Sequence, residues 1–322
     1  MKKIKIDENN IKQRLDVFLV NHFKNNYSRS QITSAIEKEY FLINKKNQKT
    51  SYKLKLNDEI SYSEEKLNDF LNPDLSLKPW ECKLDILFED DDLIVLNKPK
   101  QMLCHPTKFE RENTLSNALL FHTKGKLSTL AGDDRLGIVH RLDKNTSGIM
   151  LAAKTNTAHE NLSKQIKEKS AIRKYLAITL VNFEEKKGII DKPLLHSLKD
   201  DVKMIISPDG LEAITHYEVL EEYKGASLVE LNLKTGRTHQ IRAHLASIGH
   251  PVFGDSLYGA KSFMRNEFYN LKTTEQLLQS YYISFSHPKT NKRLEFQLEE
   301  KDFSKDFIKV LNFLRSKNNG FI

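Results

Sequence analysis

The chain has 322 residues, 39% of them hydrophobic, with 51 Lys and Arg against 43 Asp and Glu and a formal charge of +8. That apolar content excludes a disordered chain, and no run approaches the ~20 apolar residues of a membrane-spanning helix. Its two cysteines, Cys82 and Cys104, are too few for a disulfide framework and lack the spacing of a zinc site.

Positive charge is concentrated at the start. Residues 1–62 hold about 13 Lys and Arg against about 7 Asp and Glu, which favours a polyanionic partner. The opening Met1-Lys-Lys-Ile-Lys-Ile-Asp-Glu8 carries charges without the apolar core of a signal peptide, so a cytoplasmic protein is expected. An amphipathic helix is predicted over residues 11–20, and Ser28 caps a second short one reaching residue 36. Residues 41–43 and 60–62 read as strands. Residues 63–80 are polar, contain two prolines and lack a sustained period, which marks a linker. The rest, residues 81–322, is ample for one sizeable core.

Within that core, residues 137–139 and 149–153 read as short buried strands around the polar stretch His140-Arg-Leu-Asp-Lys-Asn-Thr-Ser-Gly148. Asp143 has two readings. It is either part of a turn in which Asp143 or Asn145 bonds its own backbone, or a carboxylate nucleophile kept charged by neighbouring Arg and Lys. Tyr175 falls in an alternating strand over residues 173–181, where an aromatic packed on a sheet face is the plain expectation. A helix is predicted over residues 156–168, and strands over 214–220 and 228–233. Thr238 is placed to cap a short helix that carries Arg242 and stops at Gly249. A hairpin over residues 282–298 and a last helix from Ser304 to residue 314 follow. Runs of strands with segregated helices predict an α+β fold with an antiparallel sheet.

Two alternatives fail on spacing. His239 and His244 stand five apart, about 140° round a helix, so they do not share a face as a zinc pair would. Gly254-Asp-Ser-Leu-Tyr-Gly-Ala-Lys-Ser262 places Ala260 between the second Gly and Lys261, which breaks the phosphate-loop pattern and implies no nucleotide cofactor.

The segment from His140 to Gly148 resembles the signature of the pseudouridine synthases of the RluA family. Leu84-Asp-Ile-Leu-Phe-Glu-Asp-Asp-Asp-Leu-Ile-Val-Leu-Asn-Lys-Pro99, Arg173-Lys-Tyr-Leu-Ala177, Leu233-Lys-Thr-Gly-Arg-Thr-His-Gln-Ile-Arg-Ala-His-Leu245 and Gly249-His-Pro-Val-Phe-Gly-Asp255 resemble its other motifs in order. One departure is Gln101, where the family commonly has Gly and a positive φ would be costly. The start of the chain resembles the alpha-L RNA-binding module, most closely at Arg14-Leu-Asp16 and Ser28-Arg29-Ser30. Its usual glycines are replaced by Tyr40 and Lys45, although Asn44 tolerates a left-handed conformation.

The resemblance implies a mixed, mainly antiparallel sheet with a central active-site cleft, preceded by a small α/β RNA-binding domain over residues 1–62. It implies an isomerase that converts uridine to pseudouridine in RNA, most naturally large-subunit ribosomal RNA, at an unstacked uridine in a loop or bulge. It implies Asp143 as nucleophile toward ribose or base, Tyr175 stacked on the target base, and Arg242 in a salt bridge that keeps Asp143 deprotonated. Arg141 would fill the space left by the flipped nucleotide, with His140, Lys144, Arg237, Arg14 and Arg29 as further RNA contacts. The chemistry requires no metal and no cofactor. The competing readings are the same chemistry on transfer RNA, a binding factor that keeps the fold without the reaction, and a glycoside hydrolase, for which nothing marks a second acid.

Overall fold

The computed structural model describes residues 1–24, 27–71, 76–107, 109–198, 200, 202–259, 271, 273 and 275–318, in two compact units, Met1–Ser76 and Leu77–Ile322. Ala260 and Lys261, and residues 72–75 of the expected linker, lie outside the described residues.

The first unit holds β1 (Lys2–Lys5), α1 (Leu15–His22), α2 (Arg29–Glu37), β2 (Leu42–Ile43), β3 (Glu59–Tyr62) and α3 (Glu64–Leu71), its strands in the antiparallel order β1-β3-β2. Leu15, Leu19, Ile32, Ile36, Phe41, Ile60 and Leu67 form its core. Ser28 caps α2 as expected, and Gln31 completes a reciprocal capping box. Helix α1 starts four residues later than its periodicity suggests. The preceding residues instead pair with the chain near Lys53, through Lys12 N–H to Leu54 O at 2.8 Å and an Arg14–Lys53 bridge. Helix α3 occupies part of the expected linker. Its Leu67 and Leu71, one turn apart, are buried in the core, and that burial overrides the polar composition around them.

The missing glycines have identifiable substitutes. Asn44 and Lys45 both take positive φ, +50° and +66°, in the two-residue hairpin turn between Ile43 and Lys46. The Asn44 amide holds it by donating to Asp58 at 2.8 Å and accepting from Glu59 N–H at 2.9 Å. At the other turn, the left-handed residue is Glu39 rather than Tyr40.

In the second unit, β4 (Asp85–Glu89), β5 (Leu93–Lys98), β6 (Ser147–Ala153), β7 (Ile172–Leu180), β8 (Lys187–Asp191), β11 (Ile214–Tyr223), β12 (Ala226–Leu233), β13 (Leu278–Ser286) and β14 (Arg293–Gln297) form one sheet. The order is β4-β5-β6-β13-β7-β12-β11-β8, with β14 on β13. Among the described residues only β6 and β13 pair in parallel, so the sheet is mixed and mainly antiparallel, as the sequence predicts. A separate hairpin joins β9 (Leu194–His196) to β10 (Met204–Ile206). The helices are α4 (Leu115–His122), α5 (Asn156–Lys167), α6 (Gln240–Ser247) and α7 (Lys305–Asn318). None of the described helices is long and apolar enough to cross a membrane.

Leu93 and Val95 face one apolar cluster with Phe307 and Leu311 of α7, while Ile94 and Leu96 face another with Ile241 and Leu245 of α6. Alternate side chains thus bury both faces, which is why β5 and β6 read as continuous apolar runs. Residues 137–139 are not a strand. Gly137 turns through φ +71°, and Ile138 makes only an isolated bridge to Ala152.

The first half of β13 lies beside β6, with Gln279 opposite Ser147 and Ser280 opposite Gly148, and beyond a bulge β14 takes over that edge. Gly148, at φ +122°, makes this close approach possible, since a Cβ there would sit 2.0 Å from Ser280 O. Gly148→Ala is expected to cost about 2–5 kcal/mol in urea denaturation, from strain and overpacking together. A loss below ~1 kcal/mol would show that the two strands separate here without penalty.

Candidate active site

Asp143 lies in the loop that leads into β6. Its carbonyl accepts from Thr146 N–H at 3.1 Å, so the turn expected from the sequence exists, but it is closed by backbone and leaves the carboxylate available. Lys98, at the end of β5, is fully buried and anchors the loop. Its ammonium donates to Pro99 O at 2.8 Å, Met102 O at 2.9 Å and Lys144 O at 3.2 Å, and burial brings its pKa down to about 8. Cys104 Sγ accepts from Leu142 N–H at 3.3 Å and donates to Leu142 O at 3.1 Å. Burial pushes this thiol up, which keeps it a donor.

Arg242 projects from α6 toward the same loop. Its Nε and Nη2 hold Asp255 in a fork at 2.6 and 2.9 Å, and Nη1 donates to Asp143 Oδ2 at 3.0 Å. Burial opposes the guanidinium charge, but the bonds and charge of Asp255, then of Asp143, outweigh it and raise its pKa. Asp255 is buried and also accepts Leu257 and Tyr258 N–H at 3.0 and 3.2 Å. Among the described residues, no hydrogen bond reaches Asp143 Oδ1.

Asp143 lines a cavity of about 530 Å³ with Tyr175, Arg141, Arg173, Arg237, His239 and Arg242. Its charged wall is strongly basic, with Lys167, Lys169 and Lys234 against Asp143 and Glu212, a composition suited to a polyanion. Tyr175, on β7, is buried, and burial pushes its phenol up, with Ser280 beside it.

The structure therefore brings Asp143, Tyr175 and Arg242 together. Arg141 is exposed at the same cavity and makes no ion pair among the described residues. Arg237 donates to Glu212 O at 3.0 Å, and Lys144 pairs with Glu110 at 2.6 Å on the surface. His140 differs from expectation. Its Nε2 accepts Leu151 N–H at 2.9 Å, and burial with Arg173 nearby lowers its pKa to about 3, so it braces β6 as a neutral ring and offers no cation to a phosphate. In the first unit, Arg14 and Arg29 both grip Asp16, at 3.0 and 2.7 Å. The hydrogen bond from Arg14 is the chief reason Asp16 is lowered to about 2. Both guanidinium groups stay about half exposed, with side-chain accessibilities of 46% and 61%.

Three residues were missed. Asp255 pairs with Arg242 through a turn that has no local signature. His239, weighed only as a zinc ligand, replaces Thr238 at the start of α6 with φ +53°. Its Nε2 stands 3.9 Å from Asp143 Oδ2, and its Nδ1 is 3.2 Å from the hydroxyl of Tyr258. His244 turns elsewhere, to Thr215 Oγ1 and Lys192 O, each at 2.9 Å. Arg173 shares a face of β7 with Tyr175, two residues on; its position in the motif was the only sequence signal. A carboxylate and imidazole cluster at Asp90, Asp92 and His287 is already internally bonded. His287 Nδ1 accepts Lys289 and Thr290 N–H, and Nε2 faces Asp90 at 2.7 Å.

The family model for RNA pseudouridylate synthases matches residues 92–247. Ribosomal large subunit pseudouridine synthase D of Zymomonas mobilis is 43% identical over 225 residues, 69% of this chain and 71% of that protein. The uncharacterized RNA pseudouridine synthase YlyB of Bacillus subtilis is 36% identical over 285 residues, 88% of this chain and 89% of that one. The solved structure of human RNA pseudouridylate synthase domain containing 4 shares the fold, with a TM-score of 0.57 at 24% identity, over 72% of this chain and 93% of that one.

The lowered pKa of His140 sets a pH dependence. With a folded value of about 3 against 6.5 when unperturbed, the unfolded chain binds the extra proton. Stability is therefore fully present above pH 6.5 and drains away as pH falls toward 3. His140→Gln, which can still accept Leu151 N–H, is expected to lose less stability than wild type between pH 7 and 5 in urea titrations. An equal loss in both proteins would place the proton uptake elsewhere.

Proposed function

The chain belongs to the RNA pseudouridylate synthase family, and we propose that it isomerises specific uridines of large-subunit ribosomal RNA in the cytoplasm, with Asp143 as the nucleophile. The observation that carries this reading is the single bond from Arg242 to Asp143 Oδ2 at 3.0 Å, which aims the carboxylate into a basic cavity and leaves Oδ1 open. The protein is an isomerase that converts uridine to pseudouridine in RNA. The N1–C1′ bond breaks, the uracil turns, a C5–C1′ bond forms, the C5 proton leaves and N1 gains one; the bond Asp143 forms, to ribose or base, breaks again before the product leaves. Atoms and electrons balance without oxidant, metal or cofactor.

The target uridine must leave its stack to reach a carboxylate in a cavity. Tyr175 offers the surface on which the base is held, and Arg141, exposed and without an ion pair among the described residues, occupies the gap left in the RNA. Arg237 and Lys144 add charge at the surface around the loop. In the first unit, Asp16 holds Arg14 and Arg29 as a fixed pair of forks, a geometry suited to phosphate oxygens. Similarity to synthase D proteins supports ribosomal RNA as the substrate.

Pseudouridines mapped by carbodiimide labelling and primer extension should disappear at the same ribosomal positions in cells lacking the protein and in cells carrying Asp143→Asn. If no ribosomal position changes when the protein is absent, the substrate is not ribosomal RNA and transfer RNA moves ahead. Replacing Arg14 and Arg29 together by Ala should weaken RNA binding and reduce the slope of log affinity against log salt by about 1–2. An unchanged slope would remove the first unit from phosphate contact.

A further inference from the structure

Arg173 is the least explained charge in the protein. It is only 6% exposed and lines the cavity, yet its side chain makes no ion pair or hydrogen bond among the described residues, and its Nε is buried without a partner. The guanidinium lies against Gly236, where a Cβ would come within 3.1 Å of Nη1, so the absence of a side chain makes room for it. Burying a cation without a counter-charge is costly. Arg242 is satisfied by two carboxylates; Arg173 has none among the described residues, and an anion that visits the cavity would complete it.

Two anions are available from an RNA substrate, a backbone phosphate and the base itself once detached. The exposed Arg141 suits the backbone, which stays connected to the rest of the RNA. Arg173 lies deeper, on the same face of β7 as buried Tyr175, where a base rather than a phosphodiester reaches.

We propose that Arg173 is a catalytic residue that stabilises the uracil anion while the base is detached. This rests on the synthase reading of Asp143. When the N1–C1′ bond breaks, its electron pair stays on the base and is shared among N1, O2 and O4. Forming the C5–C1′ bond, losing the C5 proton and protonating N1 discharge it. The negative charge therefore exists only between the two bond changes, and a fixed cation in a water-poor site favours that state over the neutral bound uridine. Arg173 transfers no proton and forms no covalent bond.

The test uses the full-length protein on transcribed large-subunit ribosomal RNA, with single-turnover rates and RNA dissociation constants measured separately for wild type, Arg173→Met, Arg173→Lys and Asp143→Asn. Arg173→Met is expected to slow the rate roughly 10²-fold, with dissociation constant and salt slope unchanged and a melting temperature at or above wild type, because an uncompensated buried charge has been removed. Arg173→Lys should fall between. A wild-type rate in Arg173→Met would overturn the proposal. So would weaker binding with a salt slope reduced by about 1, which assigns Arg173 to a phosphate, or a lowered melting temperature, which assigns it to the fold. Activity in Asp143→Asn would instead sink the synthase reading itself.

Discussion

The site depends on how Arg242 is divided between two carboxylates. Asp255 takes the fork of Nε and Nη2 and is buried, with two backbone N–H groups also bound to it. Asp143 receives only Nη1. Most of the directional bonding of the guanidinium is thus spent on a structural partner, and the remaining bond orients Asp143 while leaving its second oxygen open. A buried ion pair is poor evidence for stability in itself, because the cost of desolvation rivals the attraction. Its value lies in position, since it fixes α6, the turn after it and the loop before β6 relative to one another.

The sheet explains why that loop can be held so closely. Gly148 lets β6 run beside β13 at a distance no side chain permits, so Asp143 emerges where three strands, β6, β13 and β7, meet. Lys98 and Cys104 then bond backbone groups of the loop that the sheet does not pair. A buried ammonium with three carbonyl acceptors is a strong and inflexible brace, and its surroundings in the core shield it from competing water.

Charge is used in two ways. In the first unit, a buried Asp16 organises two half-exposed arginines and leaves their outer faces to solvent. In the cavity, cations outnumber carboxylates, and among the described residues Arg141 and Arg173 have no carboxylate of their own. The first arrangement holds two guanidinium forks in place, with little rotamer freedom left to lose. The second leaves positive charge in excess at the cavity wall.

The sequence by itself determined the elements whose signals are local. Ser28 marked the start of a helix, a second helix was legible after residue 156, alternation marked β7, and strand signals marked β11 and β12. The ordered motifs named Asp143, Tyr175 and Arg242 as candidates. Local signals failed where a distant contact decided the outcome. Leu67 and Leu71 became helical because a core received them, Gly137 broke an apolar run that read as a strand, and His140 lost its charge to burial. Tertiary structure alone decided that Asp255 would take most of Arg242, that His239 would stand beside Asp143 and that Arg173 would be buried without a partner among the described residues. Such properties depend on which groups meet across tens of residues and how much water remains between them, and a one-dimensional pattern of residues carries neither quantity.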